Sequence, residues 1–376
     1  MKGTRRAKGE TMMDQEDYVQ LLQEMLQIYS PSGKEQKLAA FLQDKLVGFG
    51  FENVRTDEAG NVYGELGSGI PTVLLCGHMD TVSGWIPVKK ENDWLHGRGA
   101  VDAKSSLAAM VSASSDIKFT LKKGKVIVAG VVGEEKTSKG IRQLLREKLN
   151  VDYAIFGEPS GAKNITFAYK GKVDLRIKFQ TASGHVGAQH LLENAVEKGF
   201  ELWNKIKTAC AEFQSPQGIF YSVTPCLTKV SSQRTSGGIP DVCLFDVDVR
   251  FPPSVKTSVC EKIIGKVIDD FQVENPNVSV ASMVLDKVEP FVADRTTLLA
   301  KALEKAIVEV TGGPSKFLKK TGTGDMNIFG TETRVLSITY GPGDSRLSHT
   351  KNERIELSEY IACIQVYKRT IENLLT

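Results

Sequence analysis

The amino-acid sequence predicts an α/β protein built on a mostly parallel sheet and interrupted by a smaller α+β domain. The unbroken apolar run at 72–77 is typical of a strand that is buried on both faces, and the mainly apolar segments 125–132 and 152–156 predict two more strands. Helical patterns separate these strands, and such an alternation favours a parallel sheet with helices on both faces. The pattern changes after about residue 168 and returns near residue 291, which indicates that the smaller domain is an insertion.

Hydrophobic spacing and turn residues define the elements of the first domain. Apolar spacings of three and four residues predict helices, and apolar runs bounded by turn residues predict strands. The segment 30–33 (SPSG) breaks the first helical pattern, and 57–60 (DEAG) joins the first two strands. Before the insertion we predict helices at 14–29 and 34–49, strands at 52–55, 61–65 and 72–77, a helix at 104–116, a strand at 125–132, a helix at 138–148 and a strand at 152–156.

The inserted domain has a different order of elements. We predict a strand at 169–180, a helix at 191–212, strands at 219–232 and 241–250, a helix at 255–271 and a strand at 277–287. This βαββαβ order is that of the ferredoxin-like unit. The chain then returns to the first domain with a helix at 295–310, a strand at 335–339 and a helix at 357–374. The predicted domains are therefore 14–165 with 289–376 and an inserted 166–288, preceded by a disordered basic tail over 1–13.

Composition and charge exclude several classes of protein. The 376 residues are 41% hydrophobic and 25% charged, which is typical of a globular protein with two domains. The net charge of +3 equals that of residues 1–10 alone, so we expect no basic surface for nucleic acid. Because there is no apolar stretch of about 20 residues and no signal peptide, we expect a cytoplasmic protein without a membrane partner. The six scattered cysteines predict reduced thiols.

Polar side chains follow each of the three buried strands. His78 and Asp80 follow the first strand, Glu134 and Glu135 the second, and Glu158 the third. Because open α/β sheets bind ligands at the carboxyl ends of their strands, we expect these side chains to lie close together. Adjacent residues of an extended chain point in opposite directions, so the two neighbouring glutamates can have different roles.

Two further candidates lie in loops. Asp102 precedes the helix at 104–116, and His349 follows a loop rich in glycine and proline. Taken singly, Asp102 is typical of a helix N-cap and His349 of a surface histidine. Together with the residues at the strand ends, they provide the two histidines and the carboxylates, one of them bridging, that a two-metal hydrolytic site needs.

Five ordered motifs resemble those of the dinuclear zinc amidohydrolases and peptidases of the acetylornithine deacetylase and succinyl-diaminopimelate desuccinylase type. They are GHMDTV at 77–82, GRGAVDAK at 97–104, GEE at 133–135, GEPS at 157–160 and SHT at 348–350. The resemblance covers nearly the whole chain and implies a zinc-exopeptidase-like catalytic domain with an inserted lid domain. It also implies two zinc ions as cofactors, with cobalt as another metal that the same ligands accept.

The resemblance implies a role for each candidate residue. Five residues would be metal ligands: His78 and Glu158 on one zinc ion, Glu135 and His349 on the other, and Asp102 bridging both. Asp80 would orient His78, and Glu134 would act as general base and general acid.

The inserted domain adds two residues by resemblance. The segment 182–187 (ASGHVG) resembles a lid motif whose histidine, here His185, reaches the active site of a partner subunit and helps to stabilise the tetrahedral oxyanion. A homodimer is therefore implied. Arg250 resembles the residue that grips a substrate carboxylate. The segment 235–241 lacks the asparagine that many relatives carry there, which puts that residue's part in the oxyanion pocket in doubt.

Two other segments point to a narrower group. The segments 320–327 and 340–345 are similar to those of lysine-biosynthesis hydrolases, which release lysine or ornithine from a small acidic amino-group carrier protein. That similarity implies that Asp325 binds the cationic side chain of the released amino acid, although Asp325 also fits a turn residue after Gly324. Two basic clusters are candidate docking sites for the carrier: Lys316, Lys319 and Lys320, and Lys170, Lys172, Arg176 and Lys178.

The sequence leaves alternatives to carrier hydrolysis open. The same centre would serve a deacylase of small N-acyl amino acids such as acetylornithine, or a short-peptide aminopeptidase. A non-catalytic binding protein that keeps the fold is a third hypothesis, which the full set of ligand types disfavours.

Overall fold

The computed structural model describes residues 12–235 and 238–375, which form two compact units. The first unit comprises the described residues up to 167, together with 293–318 and those from 328 onward. The second comprises the described residues of 168–292 together with 319–327. The boundaries drawn from the sequence gave all of 289–376 to the first domain and 166–288 to the second, so 166–167, 289–292 and 319–327 are assigned differently. The tail predicted over 1–13 lies, up to residue 11, outside the described residues.

Every helix predicted from the apolar spacings is present, with ends that differ by up to four residues, and a further helix at Asp325–Glu332 was not predicted. The helices are α1 (Gln15–Gln27), α2 (Gln36–Gly48), α3 (Lys104–Ile117), α4 (Lys139–Arg146), α5 (Ala195–Ala211), α6 (Thr257–Glu274), α7 (Leu298–Thr311), α8 (Asp325–Glu332) and α9 (Leu357–Leu375). Among the described residues, no helix combines the length and the apolar character that crossing a membrane requires.

The strands include every one predicted and several short ones that were not. They are β1 (Glu52–Thr56), β2 (Val62–Ser68), β3 (Thr72–His78), β4 (Lys89–Glu91), β5 (Trp94–His96), β6 (Gly124–Val131), β7 (Tyr153–Gly157), β8 (Asn164–Tyr169), β9 (Gly171–Gln180), β10 (Thr224–Gln233), β11 (Val242–Phe251), β12 (Ser279–Val288), β13 (Phe291–Val292), β14 (Lys316–Lys320), β15 (Leu336–Tyr340) and β16 (Arg354–Glu356).

The first unit is built on a sheet in the order β1-β2-β6-β3-β7-β15-β8. The central strands β6, β3, β7 and β15 pair in parallel, whereas β2 and β8 pair with this group in antiparallel fashion. Their side chains are buried because helices cover the sheet, as the apolar runs required. The predicted α/β class with a mostly parallel central sheet is confirmed.

Helix α3 carries small side chains that allow it to lie against the strand ends. Every residue of α3 is buried. A Cβ atom on Gly77, in β3, would lie 3.2 Å from the Cβ of Leu107, and one on Gly157, in β7, would lie 2.9 Å from the Cβ of Ser106. These two glycines allow the first turn of α3 to approach the sheet. Asp102, two residues before α3, is thereby held at the carboxyl ends of the strands.

The second unit has the order β9, α5, β10, β11, α6, β12. Its sheet runs β10-β11-β9-β12, and all of its pairs are antiparallel. Buried residues alternate along β9 and β11, and they form a core with residues of the two helices, among them Val173, Phe179, Phe245, Leu202 and Ile264. The predicted ferredoxin-like order is confirmed.

A small sheet in the order β16-β5-β4 was not predicted. Each of its strands has only three residues, so no periodicity identifies them. In this sheet Arg354 pairs with His96. The pairing joins the chain that follows His349 to the chain that precedes Asp102.

Candidate metal centre

Four neighbouring parallel strands deliver the predicted ligands to one edge of the central sheet. His78 is the last residue of β3, Glu134 and Glu135 follow β6, and Glu158 follows β7. Strand β15, the neighbour of β7, leads into the loop that carries His349. Because parallel strands end at the same edge, side chains from distant parts of the sequence meet there.

His78 is buried and lies between two carboxylates. Its Nε2 is 3.3 Å from Oδ1 of Asp102 and 3.6 Å from Oε1 of Glu158. Its Nδ1 is 2.9 Å from the backbone carbonyl oxygen of Asp80. A neutral ring therefore carries its proton on Nδ1, where the carbonyl accepts it, and offers the Nε2 lone pair to a metal ion.

His349 lies on the other side of Asp102. Its Nε2 is 3.3 Å from Oδ2 of Asp102 and 3.1 Å from Oε1 of Glu135. Asp102 thus turns one oxygen toward each histidine. This is the arrangement that a carboxylate bridging two metal ions requires.

Asp80 acts on the site mainly through the backbone of the two glutamates. Its Oδ1 accepts the backbone N–H of Glu134 at 3.0 Å, and its Oδ2 accepts that of Glu135 at 3.1 Å. The hydroxyl of Ser32, which the sequence did not single out, donates to Oδ2 at 2.7 Å. Oδ1 is 3.7 Å from Nδ1 of His78, which is farther than the carbonyl oxygen of Asp80. The carbonyl of Asp80 therefore orients His78, while its carboxylate positions Glu134 and Glu135.

The two neighbouring glutamates have different partners. A carboxylate oxygen of Glu134 lies within 4.8 Å of ligand atoms of His78 and Glu158. Glu135 contacts His349 and also has a carboxylate oxygen within 4.8 Å of ligand atoms of His78 and Asp102. The two glutamates lie in a turn after β6 and not on extended chain, because the backbone N–H groups of residues 136–138 donate to the carbonyl oxygen of Gly133. The alternation of an extended chain, on which the prediction of separate roles was based, therefore does not apply here.

The carboxylates draw protons onto both imidazoles. Hydrogen bonds to Asp102 and Glu135 raise the pKa of His349 to about 10. Burial alone would lower the pKa of His78, but the hydrogen bond to Asp102 and the charge of Glu158 raise this pKa well above its usual range. Burial would raise the pKa of Asp102, yet hydrogen bonds from His349 and His78 hold this pKa far below its usual range. The cluster thus requires compensating positive charge.

The donor set fits divalent metal ions. Two imidazoles with carboxylate oxygens suit zinc and cobalt, and ions at this place would supply the positive charge that protons otherwise provide. The groups of ligand atoms within 4.8 Å of one another are His78, Asp102 and Glu135, and His78, Glu134 and Glu158. His349 completes the set through its contacts with Asp102 and Glu135.

His185 lies in the second unit, just before a short 3-10 helix at Val186–Leu191. Its side chain is exposed, and its Nδ1 accepts the backbone N–H of Gly187 at 3.0 Å. The neutral ring therefore carries its proton on Nε2. This leaves an N–H that is able to donate to an anionic oxygen.

The other predicted substrate-binding residues also belong to the second unit. Arg250 makes a two-pronged pair with Asp248, with Nε 2.7 Å from Oδ1 and Nη2 2.7 Å from Oδ2, and donates to Thr323 at 3.2 Å. A substrate carboxylate would therefore have to compete with Asp248. Asp325 is buried at the start of α8.

Three of the four members of the basic cluster at 170–178 have partners within the second unit, and its role as a docking site stays a prediction. Lys170 is buried and donates to backbone carbonyls, including that of Ser222 at 2.6 Å. Lys172 pairs with Asp174 of its own strand and with Asp286 of β12, and Arg176 makes a two-pronged pair with Asp246. Only Lys178 of this cluster is exposed.

With the fold and the site described, the family can be identified. The model of peptidase family M20/M25/M40 matches residues 74–373. The chain belongs to this family. Its members are metal-dependent, and the chain is a hydrolase that acts on amide bonds.

Named relatives match over almost the full length. The LysW-lysine hydrolase of Deinococcus radiodurans is 33% identical, over 94% of this chain and 96% of its own. The LysW-lysine/LysW-ornithine hydrolase of Sulfurisphaera tokodaii is 31% identical, over 94% of this chain and 95% of its own. A protein of Pyrococcus furiosus reaches 36% identity over 96% of this chain and 99% of its own.

Solved structures of lower identity share the fold. The dipeptidase Dug1p of Saccharomyces cerevisiae superposes with a TM-score of 0.81 at 14% identity, over 96% of each chain. The M20 metallo-carboxypeptidase Sso-CP2 of Sulfolobus solfataricus has a TM-score of 0.77 at 18% identity, over 96% of this chain and 99% of its own.

Proposed function

We propose that this protein is a dinuclear zinc amidohydrolase that releases lysine, ornithine or both from the amino-group carrier protein LysW. The position of Asp102 between His78 and His349 carries the two-metal part of the proposal. The names of the full-length relatives support the substrate. Zinc is the proposed metal, and cobalt would use the same ligands.

The proposed chemistry divides between the metal ions and the side chains. When bound, two zinc ions bring the pKa of a water molecule toward neutrality and polarise the amide carbonyl. Glu134 would take a proton from the attacking water molecule as its oxygen bonds to the amide carbon, and would give that proton to the nitrogen as the C–N bond breaks and the amine leaves. The carboxylate of Asp80 holds Glu134 and Glu135 in place by accepting their backbone N–H groups.

We also propose that the protein is a homodimer in which His185 donates from Nε2 to the oxyanion in the active site of the partner subunit. Among the described residues, β10 and β12 are the edge strands of the sheet in the second unit, and β12 exposes Met283, Val284 and Leu285. Mixing His185→Ala with Glu134→Gln subunits tests the proposal. Each variant alone should be nearly inactive, and the mixed dimer should regain activity because one of its two sites then has both residues. No recovery in a confirmed mixed dimer would contradict a role across subunits.

The proposal assigns the cationic side chain of the product to Asp325. A buried carboxylate attracts a lysine or ornithine ammonium group and disfavours a neutral side chain. Since the two amino acids differ by one methylene, we expect their rates to differ by no more than about 10–200-fold. A carrier-linked biosynthetic intermediate and six free cysteines also fit a cytoplasmic location, which the proposal includes.

The decisive experiment offers LysW-lysine, LysW-ornithine and acetylornithine side by side to the zinc-loaded protein and measures the free amino acid released. We expect release from the carrier conjugates, with the Glu134→Gln variant as the inactive control. Turnover of acetylornithine alone would keep the metal centre and overturn the substrate. Asp325→Asn should raise the KM for the carrier conjugates if Asp325 binds the product side chain.

A further inference from the structure

Glu353 is a buried carboxylate that is not among the predicted catalytic or metal-binding residues. Its side chain is 1% exposed, and it lies directly before β16. Three residues separate it from the predicted ligand His349. A buried charge in this position requires partners, and those partners indicate its function.

One oxygen of Glu353 holds the loop that ends in Asp102. Oε1 accepts the backbone N–H groups of Gly99, Val101 and Asp102, each at 3.0 Å. Oε2 accepts Nη1 of Arg98 at 2.7 Å. The loop at 98–102 therefore surrounds the carboxylate with N–H donors, as an anion-binding turn surrounds its ligand.

The backbone makes the same connection. The carbonyl oxygen of Glu353 accepts the N–H of Gly97 at 3.3 Å, and the next residue, Arg354, pairs with His96. The loop that carries His349 and the loop that carries Asp102 are thus connected both by backbone hydrogen bonds and by the side chain of Glu353. Their ligand atoms, His349 Nε2 and Asp102 Oδ2, are 3.3 Å apart.

We propose that Glu353 is a positioning residue for the metal centre, which sets the distance between the bridging ligand Asp102 and the terminal ligand His349. This inference rests on the proposed two-metal function. Glu353 acts through backbone N–H groups, not on a metal ion or on substrate. Removal of residues that orient metal ligands typically lowers metal affinity or activity by about 10–100-fold.

The chain contains a chemically matched control. Asp57, in the turn between β1 and β2, also accepts three backbone N–H groups on one oxygen, from Ala59 at 2.9 Å and from Gly60 and Asn61 at 3.0 Å. No predicted ligand lies in that turn. Asp57→Ala therefore removes the same kind of anchor without affecting the Asp102 loop.

The test compares Glu353→Ala, Glu353→Gln and Asp57→Ala in the full-length protein. Zinc affinity is measured by competition with a chromophoric chelator, and the geometry of the centre by the visible spectrum of the cobalt-loaded protein. We expect Glu353→Ala to lower zinc affinity by about 10–100-fold and to alter the cobalt spectrum. Glu353→Gln should recover most of the affinity because its carbonyl oxygen still accepts the three N–H groups, while its amide group faces Arg98.

The outcomes separate this inference from the proposed function. Asp57→Ala should lower the urea midpoint and leave the cobalt spectrum unchanged. If Glu353→Ala folds and keeps both zinc affinity and spectrum, Glu353 is not a positioning residue although the metal centre stands. If Glu353→Ala does not fold, Glu353→Asp takes its place, because the shorter side chain withdraws the carboxylate oxygen from the three N–H groups. An unchanged affinity and spectrum in folded Glu353→Asp would overturn the inference. A wild-type protein that binds no cobalt would overturn the metal centre and the role of Glu353 together.

Discussion

Replacing Asp80 by asparagine tests the finding that its carboxylate positions the two glutamates through their backbone. The carboxylate accepts three hydrogen bonds, from the N–H groups of Glu134 and Glu135 and from the hydroxyl of Ser32. Asparagine keeps one accepting oxygen and places an NH₂ group where the other oxygen was. The Ser32 hydroxyl is able to rotate and accept a hydrogen bond from this NH₂ group. A backbone N–H is only a donor, so the N–H that faces the NH₂ group loses its hydrogen bond.

The expected loss of stability follows from the one backbone N–H, of Glu134 or Glu135, that loses its acceptor oxygen. A buried donor without an acceptor costs about 1–3 kcal/mol, so Asp80→Asn should lower the free energy of unfolding of the first unit by about that amount. Ser32→Ala removes one hydrogen bond from a half-buried side chain and should cost about 1 kcal/mol. Displacement of Glu134 should also lower turnover of the metal-loaded Asp80→Asn variant by about 10–100-fold.

Urea unfolding of the metal-free protein, followed by tryptophan fluorescence, measures the stability change. The tryptophans are residues 85, 94 and 203, and a Trp203→Phe background leaves both reporters in the first unit. An Asp80→Asn variant within about 0.5 kcal/mol of its parent would refute the argument, since changes of that size are typical of surface positions without such contacts.

Three further predictions concern the ligands and the general base. Glu134→Gln should retain both metal ions by elemental analysis and show no turnover; near-normal activity would remove Glu134 from the mechanism. Zinc binding at pH 7 should release about two protons, from His78 and His349, which calorimetry in buffers of different ionisation enthalpy measures. In the metal-free protein, the pKa of His349 is raised to about 10 in the folded state. Protonated His349 therefore stabilises the folded protein fully below a pH of about 6.5, the pKa of an unfolded histidine, and this stabilisation is lost as the pH rises through about 10. His349→Ala should therefore destabilise the protein at pH 6 and have little effect above pH 10; equal effects at both would contradict the assigned shift.

Long periodic segments allowed most of the fold to be predicted from the sequence. The helix expected at 14–29 is α1 (Gln15–Gln27), and the apolar run at 72–77 is the buried strand β3. The small sheet of β4, β5 and β16 escaped prediction because strands of three residues carry no period. The assignment of 319–327 to the second unit also depends on tertiary contacts, such as the hydrogen bond from the Asn327 amide to the backbone of Lys170 at 3.1 Å.

The residues whose side chains would bind metal ions were predictable from the sequence. Residues that hold the backbone of those ligands were harder to predict. His78 and Glu158 stand at strand ends, and the topology of a parallel sheet alone brings them together. Glu353 belongs to no motif, since its three N–H partners come from a loop about 250 residues earlier in the chain. The pairing of Arg176 with Asp246 was hidden for a similar reason, because it depends on the register between β9 and β11.

The number of metal ions bound per chain tests the central claim most directly. Elemental analysis of the purified zinc-loaded protein should give two ions for the wild type, and Asp102→Asn should lose both, because this carboxylate contacts both histidines. Glu359→Gln changes a glutamate that binds the backbone of Ala162 and should keep both ions. A single ion in the wild type, or two ions retained in Asp102→Asn, would contradict a centre bridged by Asp102.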